Sequence, residues 1–266
     1  SQSVAQFGEF LFLDPPSHAT GDKTVYGVLY HNGGVTEGQD LLDDLALYER
    51  TAEHMALRMV RWFISENPDP ALVNKVKTAF MSPGDNIKAA VQALFEESTY
   101  ASLSPEERTY RRPLNLTVSM LRALDPDLTG LQPPNFTDFD GLLDSLELMG
   151  QRPGYWPAPD GYPYEDAAWL PGIQPRIQFF DDLCHTNLPG VELPSTRLDT
   201  LFGATPPTRY AGRASQILTG GTLPPLHVRR IQNALNAIAA VPGYSDDLRR
   251  DALALTASAP THQYLY

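Results

Sequence analysis

The chain predicts a mainly α, irregular multi-helix domain with long proline-rich loops and a short N-terminal hairpin. Three observations carry this prediction. After residue 37, apolar side chains recur at steps of three and four, the period of a single buried helix face. Twenty-four prolines among 266 residues interrupt those stretches, and each removes a backbone donor and disfavours helix at the residue before it. Short aromatic and β-branched runs, the composition of strands, fall chiefly before residue 37.

The elements follow in order. "FGEFLFL" (7–13) and "TVYGVLY" (24–30) flank a Pro/Gly/Asp turn region and read as two short strands or an irregular hairpin. Leu41, Leu42, Leu45, Ala52, Met55, Ala56, Met59, Val60 and Phe63 mark a helical stretch that "ENPDP" (66–70) ends. A second helix over 70–81 offers Leu72, Val73, Val76 and Phe80 to a core. "SPGD" breaks it, and Asp85 is placed to cap a third helix through Phe95. Further helices are predicted near 114–124, 137–149, 173–184, 225–240 and 245–257, with Asp246 and Asp247 in the first turn of the last. Residues 150–172 and 186–224 read as long loops, a length that usually marks function or disorder. The expected division is a helical region over 1–190 and a C-terminal loop and helical hairpin over 191–266 packed on it.

Composition narrows the function. The 32 Asp and Glu against 20 Lys and Arg give a net charge of −12. Such a field opposes nucleic acid and anionic membrane surfaces, which are bound through basic patches. No apolar run approaches the roughly 18 residues of a spanning helix. The single Cys184 excludes an intramolecular disulfide, and no Cys/His spacing resembles a zinc site, so neither metal nor cofactor is expected. "SQSVAQFGEF" lacks the basic and apolar regions of a signal peptide, so any export signal is expected upstream of this chain.

Three stretches carry a resemblance. "SHATGDKTVYG" (17–27) holds a His, Gly, Lys-Thr, Gly element. "ERTAEHMALRMVRWFISENPDPALV" (49–73) is a Thr-Ala helix ending in an aromatic-aliphatic pair before a proline-rich break. "GQRPGYWPAPDGYPYEDAAWL" (150–170) strings together Gly-Gln, Pro, Asp-Gly-Tyr-Pro and Trp. With support from "RRPLNLTVSMLRAL" (111–124) and the closing "TASAPTHQYLY", the chain resembles the bacterial family catalogued as domain of unknown function 1800. The resemblance implies an exported, extracytoplasmic protein that is the C-terminal portion of a longer precursor, with the missing N-terminal helical portion as a partner. It implies no reaction. Ala19 stands where the pattern often has Asp, position 54 is His, and residues 190–224 have no counterpart in the pattern.

Candidate chemistry sits in three places. His18, Asp22, Lys23 and His31 surround the first turn, where a His and a carboxylate can share a proton and a lysine can hold an anion; the alternative is a turn held by Asp22, with Lys23 paired to a carboxylate elsewhere. His54, Arg58, Arg61 and Ser65 fall on one helical face opposite Met55, Met59 and Phe63. That basic strip either neutralises a neighbouring helix or contacts an anion, and Arg111 and Arg112 extend either reading. In "YWPAPDGYPYEDAAW" (155–169), the rings of Tyr155, Trp156, Tyr162 and Trp169 flank Asp160, Glu165 and Asp166. They form either a carbohydrate platform or a plug between helices. The stretch predicts an ordered loop with at least one Trp buried, positive φ at Gly161, and the Asp160-Gly161 turn facing a cavity.

Adjacent carboxylates such as Asp43-Asp44 and Asp181-Asp182 are too abundant to single out an acid–base pair. Cys184 beside His185 reads as a small buried thiol. Three function classes remain. The first is a ligand- or polysaccharide-associated binding module. The second is a hydrolase or lyase in which Lys23, His18 or His54, and Asp160 converge. The third is an assembly or scaffold protein joined through its aromatic segments.

Overall fold

The structure, a computed structural model of the chain, describes residues 19, 21–31, 35–82, 86–101, 109–131, 139–244 and 246–264. Contacts gather into two compact units, Ser1–Phe63 with Asn67–Leu103, and Ile64–Glu66 with Ser104–Tyr266. Among the described residues there are twelve α-helices and one two-stranded sheet, so the chain is mainly α with irregular connections, as its periodicity predicts. The run at 7–13, His18 and Asp85 lie outside the described residues.

In the first unit, β1 (Lys23–Val25) pairs antiparallel with β2 (Val28–Tyr30), Val25 opposite Val28. Tyr26 and Gly27 make the two-residue connection with φ of 51° and 83°. Two positive values are the signature of the tight hairpin turn whose twist matches that of its strands. The helical stretch from residue 37 divides at Tyr48 into α1 (Val35–Leu47) and α2 (Glu49–Phe63). Next come α3 (Pro70–Phe80), α4 (Asn86–Leu94) and α5 (Glu97–Ala101), with α3 packed on both α2 and α4. Proline opens α3 where a missing N–H costs nothing, and the Asp69 carboxylate accepts from Ala71 N at 2.9 Å. Val76 and Phe80 of α3 and Ala90, Ala93 and Leu94 of α4 fill the core between them.

The second unit holds α6 (Pro113–Leu124), α7 (Phe139–Leu148), α8 (Ile173–Cys184), α9 (Ser195–Phe202), α10 (Tyr210–Thr219), α11 (Pro225–Ala239) and α12 (Leu248–Ala257). α12 packs against α8, α10 and α11 and buries Ala252, Leu253, Ala254, Thr256 and Ala257. A helix buried on so many sides is the centre of its unit. Asp247 is the N-cap of α12, accepting from Arg249 N, rather than a first-turn residue. The chain then closes in a 3-10 turn, Pro260–Gln263, and Tyr264 bridges back to Tyr110.

Two further expectations are corrected. The run at 24–30, read as one strand beside a Pro/Gly/Asp turn region, itself holds the turn, β2 and most of β1. Residues 186–224 are not a loop: they carry α9 and α10, which bury Leu198, Leu201, Phe202, Ala211, Ala214 and Leu218. Their Pro and Gly residues bound the helices instead of replacing them. Pro194 precedes α9, Gly203 follows it, and Gly220 ends α10 with φ 62°. Helices of eight and ten residues between such breakers leave little periodicity to read.

Candidate functional site

The first unit engages Lys23 internally. Its ammonium lies 2.9 Å from both carboxylate oxygens of buried Glu37 and reaches the carbonyls of Ala19 (3.0 Å) and Gly21 (3.3 Å). Four acceptors surround a group with three protons, so the lysine ties the first turn to α1. His31 and Asp22 approach to 3.2 Å but are both exposed. On α2 the deepest face is Ala52, Ala56 and Val60; Met55 and Met59 flank it, half-buried, while Phe63 is exposed and meets Phe95 edge-on. His54 and Arg58 project outward, and Arg61 is half-buried. Ser65 lies past the end of α2 and belongs, buried, to the second unit. Lys23 and His54 thus fall in the first unit and Asp160 in the second.

The 155–169 segment is graded from surface to core. Tyr155 and Trp156 are 68% and 40% exposed, Tyr162 is half-buried, and Trp169 is buried. The rings form a file: Trp156 to Tyr162 at 4.9 Å, then Tyr162 to Trp169 at 5.9 Å. Asp160 accepts from the Trp156 indole N–H at 3.2 Å, closing the loop on itself, and Gly161 turns the chain with φ 77°. Tyr162 donates to the Arg152 carbonyl, and Arg152 in turn lies over the Tyr155 ring at 4.6 Å while pairing with Glu147. Trp169 follows the 3-10 turn Asp166–Ala168, which swings the ring inward. Plug and platform are therefore two ends of one segment. Asp160 is exposed, and the clefts described in this unit are lined by other residues.

Asp166, one of the segment's carboxylates, is structural. Both its oxygens accept from Tyr110 N at 3.1 Å, and its own N–H donates to Glu66. Burial, with Glu66 adding repulsion, raises its pKa above the ordinary carboxylate value. Beside it, Arg112 is buried over the Tyr164 ring at 4.7 Å.

Several polar residues of the core have no counterpart among the candidates read from the sequence. Arg176 of α8 is fully buried; it donates to the Arg111 carbonyl (2.7 Å) and Gln263 Oε1 (3.3 Å) and covers the Tyr110 ring at 4.3 Å. Its Nε and Nη2 make no hydrogen bond with any described residue. His262 Nδ1 sits 2.9 Å from the Ala257 carbonyl, and its Nε2 is 3.3 Å from Arg111 Nη1. That arrangement requires the neutral ring, protonated on Nδ1 and accepting at Nε2. Burial first, and Arg111 second, hold its pKa down at about 4. The signal for Arg176 lies in the spacing, since it shares the face of Phe179, Phe180 and Leu183.

Elsewhere in this unit, burial raises the pKa of the Cys184 thiol well above its ordinary value, leaving it un-ionised. A cleft of about 740 Å³ runs along α10 and α11, and a second of about 480 Å³ lies where Gly130 meets Gly190. Among the described residues no group of three or more His, Cys, Asp and Glu is placed to hold a metal ion. No helix among the described residues is long and apolar enough to cross a membrane.

No solved structure matches the chain. A family model described as Protein of unknown function (DUF1800) matches residues 3–264, nearly the whole sequence, and the chain belongs to that family.

Proposed function

We propose that the protein is a carbohydrate-binding module that holds a saccharide on the exposed rings of Tyr155 and Trp156. The observation that carries this reading is two large exposed aromatic side chains on a loop anchored beneath them through Tyr162 and Trp169. Proline at 157, 159 and 163 fixes φ, so little entropy is lost when the loop holds a ligand. The apolar faces of a sugar ring stack on aromatic carbon, and its hydroxyls donate to carboxylates. Asp160 spends one oxygen on Trp156 and keeps the other for such a donor. A chain carrying −12 favours a neutral or cationic polymer over a polyanion.

Affinity electrophoresis through gels containing neutral polysaccharides tests this. The wild type should be retarded, the Tyr155→Ala/Trp156→Ala double variant should not, and Trp62→Ala should behave as wild type. Equal mobility of wild type and double variant in every gel would sink the proposal. We also propose, on the family resemblance, that the protein acts outside the cytoplasm. Fractionation of cells expressing the native gene should recover it there, and recovery only from the cytosol would remove that part.

A further inference from the structure

We propose that the cleft between α10 and α11 is a binding site for a small molecule bearing a dianionic phosphate group and a partly apolar body. Its volume of about 740 Å³ falls within the range of small-molecule sites. Arg209, Arg213 and Arg229 line it, and no Asp or Glu does, although acidic residues outnumber basic ones by 32 to 20 in the chain.

None of these three arginines pairs with a carboxylate of the described residues, in contrast to three others of the unit. Arg152, Arg197 and Arg249 each pair with a carboxylate. Arg209 and Arg229 are exposed, and their side chains make no hydrogen bond or ion pair with any described residue. Arg213 is anchored without being neutralised: its Nε donates to the Leu201 carbonyl at 2.7 Å and its Nη1 to Gln216 Oε1 at 3.2 Å, leaving Nη2 unused. A guanidinium fixed by neutral acceptors keeps its full charge for an incoming anion.

The remaining lining refines the ligand class. Asn233 and Thr208 supply neutral polar contacts, while Leu223 and Val228 give an apolar wall suited to an organic body. Gly212 adds room on the α10 side, since a Cβ placed there would meet nothing within 4 Å. A lone carboxylate offers one charge to three cations. A phosphate monoester offers close to two charges and three strong acceptor oxygens, the better match to three forked donors.

The test uses the intact chain and isothermal titration calorimetry with inorganic phosphate, phenyl phosphate, benzoate and phenol. Phenyl phosphate should bind saturably below about 1 mM, more tightly than inorganic phosphate, with phenol silent and benzoate much weaker. Arg209→Gln/Arg229→Gln changes only exposed side chains without partners, so its melting temperature without ligand should match the wild type. Its affinity for phenyl phosphate should fall at least tenfold, the scale of losing a charge-assisted hydrogen bond. Absence of saturable binding, benzoate binding as tightly as phenyl phosphate, or equal affinity in the double variant would each overturn the assignment. The polysaccharide gels can fail or succeed independently of this titration, because they report on residues 155 and 156 alone.

Discussion

Lowering the pH from 7 to 5 should weaken the fold through one side chain, His262. Its imidazole is buried, donates from Nδ1 to Ala257 and faces Arg111 through Nε2. A second proton on the ring would place an N–H against a guanidinium, so the folded pKa drops from 6.5 to about 4. The sign follows from linkage. As pH falls through about 6.5 the unfolded chain takes up the proton while the folded chain does not, so stability present above that value is lost progressively until about pH 4. At roughly 1.36 kcal/mol per pKa unit the full loss is about 3 kcal/mol, of which about 2 kcal/mol should be gone by pH 5.

The assay is urea unfolding followed by tryptophan fluorescence between pH 7 and 5, in a Trp62→Phe background. The two remaining tryptophans, Trp156 and Trp169, then both report on the second unit. His262→Gln keeps a donor and an acceptor but carries no titratable proton, so its stability should be flatter by about 2 kcal/mol over that window. Other groups, including Asp166 with its raised pKa, contribute equally to both proteins and cancel. Parallel curves for wild type and His262→Gln would show that the ring is not held neutral, and the reasoning would fail.

Other outcomes follow from the same geometry. Trp169→Ala should cost about 3–5 kcal/mol, as for a truncated core aromatic; Trp169→Phe should cost less, because the buried indole N–H has no acceptor among the described residues to lose. Chemical denaturation of both variants decides this, and equal losses would contradict it. Asp160→Asn should change stability by less than about 0.5 kcal/mol, since the amide oxygen still accepts from Trp156; a large drop in melting temperature would make the loop purely structural. Gly130→Ala should destabilise by about 1–3 kcal/mol, because its Cβ would come within 2.7 Å of the Gly190 Cα and backbone has to move; an unchanged urea midpoint would mean the approach is slack. Lys23→Met should cost about 1.5–3 kcal/mol by withdrawing a charged partner from buried Glu37, and a neutral result in the same assay would free the lysine for another role.

How far the sequence could be read depended on whether a feature is local. Pro70 and Pro113 announce the starts of α3 and α6, because an opening proline acts within one turn. Positive φ at Gly161 was legible for the same reason. The split between Trp156 and Trp169 was not, since both sit in one aromatic stretch and burial was decided by the 3-10 turn at 166–168. Arg176 was written on the apolar face of α8, but a charge there is legible only once Arg111, Gln263 and Tyr110, distant in sequence, are known to meet it.

The α10–α11 cleft shows why a chain-wide charge is a poor guide to local chemistry. A sum of −12 argues against a polyanion, whose many phosphates sample the field of a broad surface. A small anion samples only what lies within about 8 Å, the screening length at physiological salt. Within the cleft that neighbourhood is Arg209, Arg213 and Arg229 with no carboxylate in the lining. Reading 186–224 as a loop hid this, because the spacing of Arg209 and Arg213 has meaning only if the second lies on a helix one turn beyond the first. Once α10 exists, the two fall on one side of it, and Arg229 of α11 completes the set. Ligand selection in this chain is thus a matter of which neighbourhood a ligand is small enough to enter.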